Sequence, residues 1–347
     1  MAEITGKTSL SATLRTVAGL VVMLCLFVFA FVYPGYKPKP HHLPVGVVAP
    51  AASLDSIAAQ TGGGFALIRY PTQEAARAAV DDRDIYGAVI ASPSGRRLLV
   101  ASAASFTVSQ FLRRVFSGAT VTDVKPLDPN DPRGVAIGLL LLPLITVCFG
   151  AVLMLGGLRQ PGKALVGATI AYSALGGLAV AAIVRFGLGA LPGTYLELSA
   201  ITALTILALV LPIAGLHRLL GAIGLAVSGF LFFVFANPAS GNSTAPQLLP
   251  SPWRGLGQLL PPGAGGTALR NIGYFGGTAI AQPIVVLASF SLAGALLVLG
   301  ADRLRGTVGR KRERVQSFLR TRARGPHQGV AGGDDRAGGP PSPSTQL

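Results

Sequence analysis

Charge is scarce in this sequence. Only 12% of its 347 residues are Asp, Glu, Lys or Arg, where a soluble globular protein carries about a quarter. Acidic residues are scarcest, 14 against 29 basic ones, for a formal net charge of +15. With 50% apolar residues and a mean hydropathy of +0.57, this argues against a cytosolic enzyme, a disordered chain and a compact nucleic-acid binder. Cysteine is nearly missing too. Cys25 and Cys148 both lie in apolar runs, so no disulfide framework and no Cys-based metal motif is expected. Serines are plentiful, yet no G-x-S-x-G elbow occurs, and no catalytic residue can be named.

What the chain has instead is long uncharged runs. A helix crosses the hydrocarbon core with about 18 or more such residues. Six runs qualify: 16–33, 134–158, 164–184, 198–216, 219–236 and 278–300. Buried helices of a soluble core are the alternative, but six in one chain make it a poor one. The first run also resembles a signal peptide, with Lys7 and Arg15 before it. Its apolar core is longer than an h-region and no A-x-A-like site follows, so a retained anchor is expected. The fold class expected is a multi-pass α-helical membrane protein of six transmembrane helices.

Basic residues near span ends set orientation. The tail 301–347 holds ten Lys and Arg against four acidic residues. The loop 159–163 adds Arg159 and Lys163, the turn after the fourth span adds Arg218, and the N-terminal tail 1–15 is net +1. All four segments fall on one side, so +10 of the +15 sits there and both termini are expected in the cytoplasm. The excess of Arg (23) over Lys (6), with abundant Ala and Gly, fits a GC-rich bacterial genome, hence a bacterial inner membrane. The tail reads as a basic helix on anionic lipids up to about Leu319, then a disordered Gly, Pro and Ser segment. Nucleic-acid binding is disfavoured, because tethering beside a span already accounts for the charge.

Residues 34–133 would lie on the opposite face. Their pattern predicts βαβαββαβ: strands 43–49, 65–70, 85–91, 98–103 and 120–126, helices 53–60, 72–80 and 106–116. Ser53 and Thr72 are the expected caps. This is a small external α/β domain. Its acidic cluster Asp81, Asp82 and Asp84 reads as a solvated helix end rather than a cation site. His41-His42 reads as linker, since no further ligand stands at metal spacing.

The loop 237–277 carries Arg254 and Arg270 and no acid. Leu248–Leu260 and Gly265–Tyr274 are expected as short helices. They are too short to span but apolar enough to form an external re-entrant or interfacial lid. Pro250, Trp253, Arg254, Pro261 and Arg270 are its candidate gate residues. Arg185 and Glu197 border a short link and are candidate interfacial charges, able to pair or, for Glu197, to relay a proton.

The opening Leu43-Pro-Val-Gly-Val-Val, the stretch Glu74-Ala-Ala-Arg-Ala-Ala-Val leading to Ile85-Tyr-Gly-Ala-Val-Ile, and the loop pieces Asn237-Pro-Ala-Ser-Gly, Leu249-Pro, Leu260-Pro, Leu269-Arg and Tyr274-Phe carry a resemblance over most of residues 10–300. The chain resembles the ABC-2-type membrane transporter permeases, in the phage-infection-protein-like subgroup with large ectodomains. The resemblance implies an exporter subunit powered by a separate ATP-binding-cassette ATPase, and a homodimer or a pair with a similar permease. Gly157-Leu-Arg-Gln-Pro-Gly-Lys163-Ala164 comes close to a P-loop but ends in Ala. A P-loop needs Ser or Thr there for magnesium. No cofactor is therefore expected on this chain, with ATP bound only by the partner. Arg159, Gln160 and Lys163 are candidate ATPase contacts, or they only anchor topology. The rival readings are a membrane scaffold whose external domain binds an envelope partner, and a proton-coupled carrier.

Overall fold

The computed structural model describes residues 10–36, 38–93, 95–158 and 160–323. Arg159 and the Gly, Pro and Ser tail lie outside them. Residues up to Asp302 form one compact unit and Arg303–Leu347 a second. In the second, the described part is helix, which continues to Ala323.

The first unit opens with α1 (Leu10–Tyr36), whose side chains are almost all exposed. A mixed sheet follows. Its elements are β1 (Leu43–Val48), α2 (Ala51–Thr61), β2 (Phe65–Arg69), α3 (Gln73–Asp81), β3 (Gly87–Ser92), β4 (Gly95–Val100), α4 (Phe106–Val115) and β5 (Thr120–Asp123). The spatial order is β2-β1-β3-β4-β5. β1 is parallel to β2 and β3, β3 and β4 form an antiparallel hairpin, and β5 is parallel to β4. Gly95, at φ +127°, closes that hairpin turn. Thr72 caps α3 as expected, accepting from the Ala75 N–H at 3.1 Å. Ser53 does not cap α2. That helix begins two residues earlier, at Ala51, with Pro50 in an extended conformation at its N-cap.

The sheet does not stand apart from the helices. Its core of Leu43, Val45, Val89, Leu98 and Val100 continues into Ala245, Leu248 and Phe275, far along the chain.

The helical part contains α5 (Ala136–Gly157), α6 (Gly162–Ala182), α7 (Tyr195–Leu220), α8 (Ala222–Gly229), α9 (Asn237–Ala239), α10 (Trp253–Gln258), α11 (Pro261–Phe275) and α12 (Ala281–Ala323). Wider π turns extend α6 through Ile183–Gly187 and α8 through Phe230–Ala236. Among the described residues six helices are long and apolar enough to cross a membrane: Leu10–Tyr33, Ala136–Gly157, Gly162–Gly187, Tyr195–Leu220, Ala222–Ala239 and Ala281–Arg303. Each overlaps one of the six uncharged runs. α7 is the central one, with most of its residues buried, and α5, α6, α11 and α12 surround it. Polar residues in it stay satisfied internally: Thr202 and Thr205 donate to carbonyls one turn back, at 2.7 and 2.8 Å.

Asp131 joins sheet and bundle. Buried at 6% exposure, it accepts from the Val135 and Ala136 N–H groups at 3.0 Å each, satisfying donors that the first turn of α5 leaves open. Asp131→Ala is expected to cost about 1–2 kcal/mol. A lowered melting midpoint of the detergent-solubilised chain is the check.

Candidate functional site

The loop 237–277 packs into the rest of the protein, above all along α11. Pro250 and Pro252 break the expected Leu248–Leu260 helix, leaving only α10. The second expected piece is longer, and α11 is buried along nearly its whole length. Glycines permit this depth. A Cβ on Gly263 would run into the Gly257 carbonyl, and one on Gly257 into that of Ala239. Pro261 starts α11 at a position where a missing N–H costs nothing.

Backbone this deep needs polar partners, and side chains supply them. The Asn242 amide donates to the Pro262 carbonyl at 2.9 Å, and its own carbonyl accepts from Arg270 Nη2 at 2.8 Å. Gln258 donates to the Ser240 carbonyl and accepts from the Thr267 hydroxyl, both at 2.7 Å. Trp253 packs edge-on against Phe235, with ring centroids 4.6 Å apart.

The sheet docks on this framework through polar contacts. Arg83 Nη1 donates to the Asn271 side-chain oxygen and to the Thr267 carbonyl, and its guanidinium lies 5.7 Å from the Phe275 ring centre. The Tyr86 hydroxyl donates to Gln247 at 2.5 Å. Ser105 donates to the Thr244 carbonyl. Arg254 Nη1 donates to the His41 carbonyl at 2.6 Å. Among the described residues no carboxylate lies within 4.0 Å of Arg83, Arg254 or Arg270.

Between sheet and loop a cleft of about 470 Å³ remains. Arg83, Asp84 and Tyr86 line it from the sheet side, Gln247, Arg254 and Asn271 from the loop. Burial sets its electrostatics. It lowers the pKa of Arg83, with Tyr86 partly offsetting. It raises that of Tyr86, against Arg83 and Arg270. Arg270, behind the cleft, is lowered to about 10, first by burial and then by Arg83.

The remaining candidates are more dispersed. Glu197 is exposed in the first turn of α7, where a helix N-terminus favours a carboxylate. Arg185 does not pair with it. Its Nη1 donates to the Gly193 carbonyl, and its guanidinium lies 5.6 Å from the Phe186 ring centre. Lys163 is exposed and Gln160 partly buried. Asp81 pairs loosely with Arg77 and Lys125, at 3.9 and 3.6 Å. Among the described residues no group of three His, Cys, Asp or Glu is placed to hold a metal.

A second cluster joins the start of α6 and the end of α7 to the middle of α12. Arg218 pairs with Asp302 at 2.6 Å and also donates to the Gln160 carbonyl. The other Asp302 oxygen accepts from the Gly162 N–H at the start of α6. No family model, curated protein or solved structure matches the chain.

The sequence drew attention to Arg254 and Arg270 through a loop with no acid. It gave no sign of Arg83, Tyr86, Asn271 or Asp302, because their partners lie 84 to 188 residues away.

Proposed function

We propose that the chain is the membrane permease subunit of an exporter of the ABC-2 type, powered by a separate ATPase. Residues 34–133 and 237–277 stand on the outer face of a bacterial inner membrane, and both termini are cytoplasmic. The observation that carries this reading is the cluster at Asp302. It ties the 160–163 loop to the end of α7 and to α12. A partner pressing on that loop therefore acts on three helices at once, as an energy-supplying subunit must. Lys163 and Arg218, beside this cluster, support the orientation, as does the excess of basic residues in the sequence after Asp302. So does the docking of the sheet onto the loop before α12, which links opposite ends of the chain's membrane part. The near-absence of ionisable groups within the spans favours a lipophilic substrate.

The test has two parts. A reporter active only in the periplasm should work when fused after Pro126 and fail after Arg324. The full chain should co-purify with an ATP-hydrolysing subunit, and the pair should show substrate-stimulated hydrolysis in liposomes. Reporter activity in the reverse pattern overturns the orientation. A chain that is active in the cell but has no ATPase partner is a scaffold or a carrier instead. Transport abolished by Glu197→Gln would single out the proton-coupled carrier.

A further inference from the structure

The geometry points to the cleft between sheet and loop as a binding site for the anionic headgroup of an amphiphile, a phosphate or carboxylate on an apolar chain. The site stands or falls independently of any transport.

Four observations converge on it. First, its charge is unbalanced. Arg83 and Arg254 line the cleft, the exposed Asp84 is its only lining carboxylate, and neither arginine has a carboxylate within 4.0 Å among the described residues. Second, the arginines are pre-positioned. Nη1 of each is tied to a backbone carbonyl, which fixes the planar fork and lowers the entropy lost when an anion is gripped. Third, strain gathers here. Only His42, Arg83 and Ala279 among the described non-glycine residues have positive φ, at +52°, +65° and +51°. All three line this cleft. Left-handed backbone at non-glycine residues is costly and concentrates where function holds it in place.

Fourth, the rim is apolar on the side of the membrane helix. Arg254 and Gln258 of α10 face the cleft one turn apart. Gln282 lines the cleft from the first turn of α12, and Val285 in the next turn is 63% exposed. A headgroup in the cleft can therefore trail its chain along α12 at the depth where the span begins. The cleft suits a polar head rather than a whole lipid: it lies within the range of small-ligand pockets but is lined mainly by polar side chains.

The test uses the full chain in a neutral detergent and reads bound adducts by native mass spectrometry. Probes are dodecyl phosphate, dodecyl phosphocholine and inorganic phosphate. The basic tail is present in every variant, so the reading is the difference between the natural chain and the double variant Arg83→Gln, Arg254→Gln. Dodecyl phosphate should lose about tenfold or more in affinity in that variant, while the phosphocholine changes little. Because Arg83 also bonds Asn271, a second variant guards against misfolding. Gln282→Glu sits on the exposed rim and places a carboxylate at the site. It should weaken dodecyl phosphate by repulsion without moving the melting midpoint. Equal binding to natural chain and both variants overturns the site. Inorganic phosphate binding as tightly as dodecyl phosphate overturns the amphiphile assignment. An unchanged affinity for dodecyl phosphate in Gln282→Glu overturns the cleft as its location.

Discussion

Asp302→Ala is expected to free the start of α6 and the end of α7 from the middle of α12 and to lower stability by about 2 kcal/mol. The carboxylate holds two partners. One oxygen pairs with Arg218 at 2.6 Å, and the other accepts from the Gly162 N–H. That N–H lies in the first turn of α6, among donors the helix itself cannot use. A negative charge there also complements the helix dipole. A fully buried pair broken on one side costs about 3–5 kcal/mol. Asp302 is 37% exposed, so water recovers part of that loss, whereas Arg218 is only 11% exposed and cannot recover its own as well. Asp302→Asn keeps the acceptor for Gly162 but not the charge, and should lose about half as much. The melting midpoint checks both. A double-mutant cycle with Arg218→Ala isolates the pair, and a coupling near zero would show that the contact does not hold the ends together. A second readout is local: in Lys163→Cys, thiol labelling should quicken when Asp302 is also replaced, because the loop is freed from α12. Unchanged labelling would leave the loop anchored by something else, and with it would go the main support for an energy-coupling contact at this position.

The membrane helices were legible in the sequence because an uncharged run is a local property. Each apolar residue contributes whatever its neighbours in space are. The strands were legible for the same reason, through short β-branched runs between Gly and Pro breaks. Thr72 could be read as a cap because its partner Ala75 is three residues on. The cap that failed had competition: α2 begins after Pro50, ahead of Ser53. The site lay beyond this kind of reading. Arg83 meets Asn271 across 188 residues, and Gly162 meets Asp302 across 140. Nothing near either residue announces its partner. The length of α11 escaped the sequence for a related reason: a helix was expected only from Gly265, and α11 starts at Pro261. Its opening Pro261-Pro-Gly-Ala looks unfit for a helix. Yet the same glycines that weaken a free helix let Gly263 approach Gly257 at backbone distance, and tertiary packing overrides propensity. Glycine density is the signal that could have found it, since close backbone approach needs residues without a Cβ.

Arg270 should separate the effect of its charge from that of its volume. It is 5% exposed and donates to the Asn242 carbonyl, and no carboxylate lies within 4.0 Å among the described residues. Arg270→Ala removes a long packed side chain and orphans the Asn242 carbonyl, and is expected to cost about 3 kcal/mol. Arg270→Met keeps most of the volume and removes the desolvated charge. Met leaves the Asn242 carbonyl without its donor as Ala does, but keeps the packing and sheds the desolvated charge, so it should lose about 1–2 kcal/mol, less than Ala. The pH dependence has a definite sign. Burial, reinforced by Arg83, lowers the Arg270 pKa to about 10 in the folded chain, well below the ordinary arginine value. Between those two values the unfolded chain binds the proton more firmly than the folded one. Stability attributable to this group therefore rises with pH through that window, and the penalty is fully present below about pH 10. The natural chain should gain on Arg270→Met as pH climbs from 9 to 11, with other titrating groups cancelling between the two. A gap that stays constant over that range would mean the guanidinium is not desolvated as its surroundings imply. A melting midpoint falling equally for Ala and Met would assign the residue's role to its hydrogen bond with Asn242 alone. In that case α11 is held in place by satisfied backbone, and the positive charge behind the cleft contributes to ligand attraction without contributing to the fold.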